Sequence, residues 1–447
     1  MTGRNPALAK PASDVSAITG FIGLAGLVVW VLVCRNWAGI VDLFDLPGPR
    51  APLSGPYASI AALFFSAVPM IAWAVLVEKV HRNPSTGIDW DNPRPVSEIL
   101  DISVTKIAGL WATWAAIGFF YCIARWYWDG QYLFAMEVLG FAAIPLFFLS
   151  VPYVLWVDRV MKDPRDHCWH FGAMLIGREP WDAEEVKKHW RAWMIKGFFT
   201  AFMISILPGL FAKVVTADFV VLMGSPVTLA VILFEILFLI DVQIGTVGYL
   251  VTFRPLDAHI RSGNPYLAGW LAALLCYPPL NQAGLFTYQY NTADWAHWFE
   301  GQTTLLWVWG AWLVFLTAIY AWATIAFGLR FSNLTYRGVI TNGPYAFTRH
   351  PAYLSKNAFW WFSVMPFLVT NGSYPDMIRN TVFLATFSAI YYWRAKTEEA
   401  HLLAEDPKYR EYYDWMSENG IITAPLTRIA RRLKQRASSP AAVQPAE

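Results

Sequence analysis

Charge is what this sequence has least of. Only 15% of its 447 residues are Asp, Glu, Lys or Arg, against about 25% in an ordinary soluble domain, while 56% are hydrophobic. Too little polar material remains to coat a globule of this size, so lipid must complete the surface. Cysteine is scarce as well. Cys34, Cys122, Cys168 and Cys276 lie far apart in the chain, which gives neither a metal-type pair nor a disulfide framework, and free thiols are expected. No sustained basic patch suggests nucleic acid, and a net charge of +2 says little about partners. No internal repeat stands out. The opening MTGRNPALAKPASD is polar and Pro-punctuated, and the apolar run after it is too long for a signal-peptide core, which predicts a short cytoplasmic tail and a retained helix.

What the chain does have is aromatic side chains, 24 Trp, 20 Tyr and 30 Phe, of the kind that gather where a bilayer meets water. It also has long apolar runs. A hydrocarbon core of about 30 Å takes roughly 20 apolar residues per crossing. About ten runs qualify, near Val15 to Cys34, Tyr57 to Val77, Ile107 to Trp126, Leu133 to Val157, Gly197 to Val215, Phe219 to Val251, Tyr266 to Leu285, Thr303 to Phe327, Ala352 to Val369 and Thr381 to Trp393. The predicted fold is an all-α, polytopic transmembrane bundle of about ten spans. Basic residues alternate between the connecting loops. Lys79, Arg82 and Arg94, the stretch Arg159 to Lys196, Arg254 and Arg261, and Arg330, Arg337 and Arg349 fall on one side, and only Arg35, Arg50 and Lys213 on the other. Cytoplasmic loops carry Lys and Arg in excess, so both termini are expected in the cytoplasm.

Local features refine this outline. The sixth run is overlong and reads as tilted or interrupted near Pro226. Asp182 with Glu185 resembles a helix-capping box, and Trp190, Trp193, Met194 and Gly197 share a helical face. That segment reads either as an interfacial helix on the cytoplasmic leaflet or as an extension of the fifth span. Glu235, Asp241 and nearby Gln243 lie inside the sixth run, where ionisable groups are costly and point to function or to a structural partner on a neighbouring helix. Glu137 reads as interfacial. The last stretch divides into a basic half suited to anionic headgroups and a small, Pro-rich end expected to be disordered.

Unusual polar residues concentrate in two places, the loop GLRFSNLTYRGVITNGPYAFTRHPAYLSKN (Gly328 to Asn357) and the helix end YWRAKTEEAHLLAEDPKYREYYDWM (Tyr392 to Met416). The charge pattern puts both on one side of the membrane, and the hairpin of the ninth and tenth runs, closed at Thr370 to Met377, lets them meet. Gly338 and Gly343 with Pro344 allow backbone amides close to a ligand. Arg349 and His350 precede Pro351, a suitable first residue for the ninth helix, and together they favour an anion such as a carboxylate. Glu398 and Glu399 offer acceptors for hydroxyls or an amine, and Arg394 shares a face with Glu398. Taken singly, each is also what a positive-inside anchor or a solvated helix face looks like.

The order GPYAFTRHPAYLSKN, a span, RAKTEEAHLL and KYREYYDWM resembles the isoprenylcysteine carboxyl methyltransferase and phospholipid methyltransferase superfamily, in which an Arg-His-Pro-x-Tyr element follows a Gly-Pro-Tyr turn and an Arg-x-x-x-Glu-Glu element lies near the C-terminus. Tyr409 and Tyr412 match the family's aromatic tail positions. The resemblance covers Trp307 to Met416 and does not extend into residues 1–300. It implies an N-terminal multi-span region of unknown role (1–300), a methyltransferase core (301–425) and a basic, then disordered, tail (426–447). It further implies S-adenosylmethionine as cofactor, an active site facing the cytoplasm, and a hydrophobic membrane-borne acceptor, and the sequence does not choose among an isoprenylcysteine-type carboxylate, a lipid amine, a phenol and a small thiol. Gly343, Pro344, Tyr345, His350, Pro351 and Tyr353 would cradle the cofactor from one side and Glu398 and Glu399 from the other, with Arg349 and Arg394 positioning the acceptor or the cofactor carboxylate. Asn333, Thr335 and Thr341 would support them. No metal is called for.

Two other classes compete. A transporter or channel with a methyltransferase-like tail would accommodate Glu235 and Asp241, yet the chain shows neither an inverted repeat nor matched interrupted helices. A membrane reductase of the sterol type would use a nicotinamide cofactor. Adjacent Glu398 and Glu399 suit a neutral ribose diol better than a phosphorylated one, which would favour clustered Arg, so methyl transfer leads.

Overall fold

A computed structural model of the chain describes residues 9–177, 180–280, 293–369 and 373–438. Seven of its helices are long and apolar enough to cross a membrane: α1 (Ala17–Arg35), α2 (Pro56–Leu76), α3 (Val96–Ile123), α4 (Tyr132–Val160), α5 (Ala183–Thr216), α6 (Pro226–Leu250) and α7 (Thr303–Ile325). Even α1, with 19 residues, reaches about 28 Å at 1.5 Å per residue. Outward faces are apolar, as Phe64 and Val68 on α2 and Phe148 on α4 show. These features make the chain an all-α, multi-pass membrane protein.

The three other apolar runs take different forms. The seventh holds a helix of 8 residues, Leu267–Leu274, and its end, 281–285, lies outside the described residues, as do 1–8, 286–292, 370–372 and 439–447. The ninth is α8 (Pro351–Val364), 14 residues, stopped where Met365 takes a left-handed conformation at φ 44°. The tenth opens α9 (Tyr374–Glu405), whose 32 residues continue beyond the apolar stretch through Arg394, Glu398 and Glu399. Two polar helices follow, α10 (Pro407–Asn419) and α11 (Thr423–Ser438). The basic half of the C-terminal tail is therefore helical.

The core lies where α1, α2, α5 and α6 meet, around Leu27, Met70, Phe199, Leu207, Phe211 and Val247. Small residues permit close approach there. A Cβ on Gly20 or Gly26 of α1 would stand 1.9 Å from the carbonyl oxygen of Ile325 or Phe65. Helix α5 is continuous from Ala183, and the Asp182 carboxylate caps it by accepting from the Glu184 and Glu185 amides. The interfacial-helix alternative is thereby corrected: one side chain satisfies the terminal donors and nothing interrupts the 34 residues up to Thr216. The sixth run is interrupted as expected, with a turn of helix at Phe219–Leu222 before Pro226 starts α6.

The three basic residues that break the loop pattern all have partners. Arg35 donates to the carbonyls of Val214, Val215 and Ala217, ending α5, while Arg50 pairs with Asp42 at 2.6 Å and Lys213 with Glu235 at 2.5 Å. Glu235 thus takes the structural alternative, and it does not line the main cavity. Glu137 accepts from the Tyr57 hydroxyl, and all four cysteines are free.

Three devices fix the loop between α7 and α8. A two-residue antiparallel ladder joins β1 (Ser262–Gly263) to β2 (Thr335–Tyr336). Arg337, buried, donates to the carbonyls of Gly248, Phe331, Leu329 and Val251 at 2.8 to 3.0 Å and also to that of Ala258, so one guanidinium closes the end of α6 and the turn after α7. Asp14, before α1, accepts from the Val339 amide at 2.7 Å and pairs with Lys408, strapping the N-terminal segment across the loop to α10.

Candidate functional site

Pro351 sits in the first turn of α8 with His350 as the residue before it, so the Arg-His pair is delivered to the start of a helix as its sequence suggests. Gly343 has φ 56° in the turn that carries Tyr345, and Gly338 has φ 114°, conformations that a side chain would strain. Opposite them, α9 extends far enough past its apolar part to present Arg394, Glu398 and Glu399 at the same level. The two segments then lock together. Tyr353 donates to Glu398 at 2.5 Å, and Glu399 is engaged by Arg349 at 3.0 Å, His350 at 3.1 Å and Lys396 at 2.7 Å.

These contacts close one end of a cavity of about 520 Å³, within the roughly 300–1,000 Å³ of small-molecule sites. Of the residues singled out from sequence, Asp241, Asn333, Thr335, Gly338, Tyr345, Arg349, His350, Tyr353, Arg394, Glu398, Tyr409 and Tyr412 line it. Gly343, Pro344, Pro351, Glu399 and Thr341 do not reach the lining and stand behind it. Thr341 donates to the Pro11 carbonyl and belongs to the N-terminal strap.

Arg394 is the centre of the polar wall. Its Nη2 donates to Asn333 Oδ1 at 2.5 Å and its Nε to Glu398 at 3.3 Å, and its guanidinium lies 5.0 Å from the ring centre of Tyr353. Asn333 is held in turn by Tyr249, whose hydroxyl accepts from its amide at 2.9 Å and its side-chain nitrogen at 2.7 Å. Glu399 is electrostatically different from Glu398. Burial would raise its carboxyl, but the His350 hydrogen bond, the neighbouring His350 and Arg349 charges and the Lys396 bond prevail and hold it at about 2. It is a fixed anion that fastens Arg349 and His350, while Glu398 faces the cavity. Further along the wall, burial and then the Arg191 charge bring His401 down to about 4, so it is neutral where it meets the Ser262 hydroxyl at 2.9 Å.

No family model, curated protein or solved structure matches this chain.

The far end of the cavity is built by residues that the sequence motifs did not mark. Helix α5 contributes Phe202, Met203 and Ile206, and α6 contributes Phe238, Val242 and Asp241, so the wall draws on both sides of residue 300. Asp241 accepts from the Thr324 hydroxyl on α7, with Tyr320 beside it and Lys356 of α8 within electrostatic reach. Lys356 was legible as a cation inside the ninth apolar run, and Asp241 as an acid inside the sixth. Tyr277 and Tyr320 carry no sequence signal. A second, smaller cavity of about 180 Å³ lies among α3, α4 and α5, where Lys106 joins Asp158 at 2.6 Å and Asp166 at 3.2 Å. Among the described residues, no three or more His, Cys, Asp or Glu groups are placed to hold a metal ion.

Proposed function

We propose that the protein is an S-adenosylmethionine-dependent methyltransferase acting on a hydrophobic, membrane-borne acceptor, with its cofactor end and both termini on the cytoplasmic side. In this arrangement α8 and the apolar part of α9 form the last hairpin of a bundle of about ten membrane segments. One observation carries the proposal: two motif segments distant in sequence, Arg349 to Tyr353 and Arg394 to Glu399, meet through Tyr353–Glu398, His350–Glu399 and Arg349–Glu399 at one end of one cavity.

The residues suit the cofactor's parts. Glu398 can accept from an amine or a ribose diol, Arg394 and Arg349 offer donors to a carboxylate, and Tyr345 and Tyr353 offer flat faces to a purine. When bound, the cofactor supplies an electrophilic methyl on a cationic sulfur. Such a transfer neutralises charge, so the chain's task is mainly to align donor and acceptor and exclude water, a contribution of about 7–11 kcal/mol in well-oriented systems. The Glu399 lock and the Arg394–Asn333 bond give the rigidity that alignment needs.

Equilibrium binding of S-adenosylmethionine and of a reduced nicotinamide dinucleotide to the detergent-purified protein tests the assignment, with Glu398→Ala as control. Binding of the first alone, lost in the variant, is the expected result. Binding of the nicotinamide alone would transfer the site to the reductase class, and binding of neither would overturn enzymatic use of the motif.

A further inference from the structure

The part of the main cavity around Asp241 has a composition of its own. Asp241 is buried on α6, 5% exposed, and is hydrogen-bonded by Thr324. Lys356, on the first turns of α8, interacts with it electrostatically and forms no direct ion pair with it among the described residues. Its ammonium instead lies 5.3 Å from the ring centres of Tyr320 and Trp360 and 5.7 Å from that of Tyr391. An acid and a cation thus face one space from different helices without neutralising each other by contact. The same cavity is lined by the apolar side chains of Phe202, Met203, Ile206 and Phe238.

We propose that Asp241 and Lys356 form the acceptor subsite and that the acceptor is a phenolic hydroxyl on an apolar body. This deepens the methyltransferase assignment and rests on it. A carboxylate acceptor would bring its charge against Asp241, and an ammonium would bring its charge against Lys356 and Arg394. A thiol is a weak hydrogen-bonding partner for the hydroxyls of Tyr320 and Thr324. A neutral hydroxyl avoids all three conflicts, and the rings of Tyr320 and Tyr391 present flat walls to an aromatic body.

The pair also does what a phenol needs before it can act as a nucleophile. The O–H bond breaks, its proton passes to an Asp241 carboxylate oxygen, and the phenolate oxygen is stabilised by the Lys356 ammonium. That oxygen then forms its bond to the methyl carbon while the sulfur keeps the electron pair of the C–S bond. A positioned base typically contributes 10²–10⁴-fold, and a cation where negative charge develops contributes further.

Four probes with matched dodecyl chains, 4-dodecylphenol, dodecylamine, dodecanoate and dodecanethiol, separate the classes. Binding of each is measured without cofactor, together with the ultraviolet difference spectrum of the bound phenol, and labelled methyl transfer is measured with cofactor. The phenol is expected to bind, to show phenolate absorption below its solution pKa and to be methylated. Asp241→Asn should lower methylation at least 100-fold, and Lys356→Met should abolish the phenolate signal. Both variants should retain S-adenosylmethionine affinity, which reports that the protein is folded and its cofactor end intact. Methylation of the amine, carboxylate or thiol in place of the phenol would overturn the inference, as would cofactor binding with no phenol binding or full phenol turnover in Asp241→Asn. Failure of the wild-type protein to bind S-adenosylmethionine would instead refute the methyltransferase assignment from which the inference starts.

Discussion

Arg394 Nη2 and Asn333 Oδ1, 61 residues apart in the chain, are joined by a part-buried 2.5 Å hydrogen bond. The bond ties the α9 motif to the loop before α8, and Tyr249 of α6 completes the chain by accepting from Asn333. Breaking it should separate stability from ligand affinity. Asn333→Leu removes one acceptor from a buried guanidinium and should cost about 1–3 kcal/mol. Arg394→Ala also strips Glu398 of its cationic partner, leaving it the Tyr353 hydroxyl, and should cost about 3–5 kcal/mol. Thermal unfolding in detergent checks the order, and equal effects would mean that Asn333 contributes nothing to holding Arg394.

Arg337 is expected to be more sensitive than any motif residue. Among the described residues its hydrogen-bond partners are all carbonyls, so Arg337→Ala leaves buried acceptors that cost about 1–3 kcal/mol each. Folded protein should largely disappear from the membrane fraction. Arg337→Lys keeps the charge but cannot span the same carbonyls, and should give an intermediate yield.

Glu399 makes a pH prediction. Its folded-state value of about 2 lies below the ordinary 4.5, so the stabilisation it supplies is complete above about pH 4.5 and is lost as pH falls toward 2. The depression corresponds to about 3 kcal/mol. Glu399→Gln should be less stable than wild type at neutral pH, and the gap should close on acidification through that window. A gap independent of pH would show that the carboxylate charge is not what fastens Arg349 and His350.

Glycine at 338 should matter more than at 343. A Cβ on Gly338 would stand 2.5 Å from Arg330 Nη1 and disturb the Arg330–Asp257 pair, in addition to the strain of φ 114°. At Gly343 the nearest atoms would be 3.3 Å away and φ is 56°. Melting temperatures of the two Ala variants should fall in that order, the smaller loss being about 1 kcal/mol.

Glu235→Gln serves as the contrasting case. Its partner Lys213 is exposed, so the pair should contribute within about 1 kcal/mol, and cofactor affinity should be unchanged. A loss of binding there would mean that the Glu235 turn of α6 communicates with the cavity.

Much of this architecture is legible in the chain because membrane solvation imposes coarse rules. A span must be long and apolar, and the runs near 15–34, 57–77 and 219–251 could hardly be anything else once charge is this sparse; they hold the helices 17–35, 56–76 and 226–250. Proximity of Arg349 and His350 to Glu398 and Glu399 also follows from local facts: a proline that starts a helix, a hairpin, and a helix that outlasts its apolar part. Periodicity did not reveal where helices stop. The ninth run stays apolar to Val369, yet its helix ends at Val364, because Met365 takes a left-handed turn in which it packs with Leu313 and Leu316 of α7. That ending is set by packing rather than by propensity.

Partner choice was beyond the sequence. Which of two acids inside α6 meets the cavity depends on helix rotation: Glu235 turns to Lys213, while Asp241, further along the same helix, turns to Thr324 and Lys356. Likewise Glu398 and Glu399 are adjacent letters, but successive helical residues point about 100° apart, so one faces the cavity and the other the Arg349–His350 lock. Composition and hydrophobic run length determined that the protein lives in a membrane and which segments carry unusual chemistry. Only tertiary packing, by fixing rotation and register among helices with nearly uniform apolar surfaces, decided which charges meet.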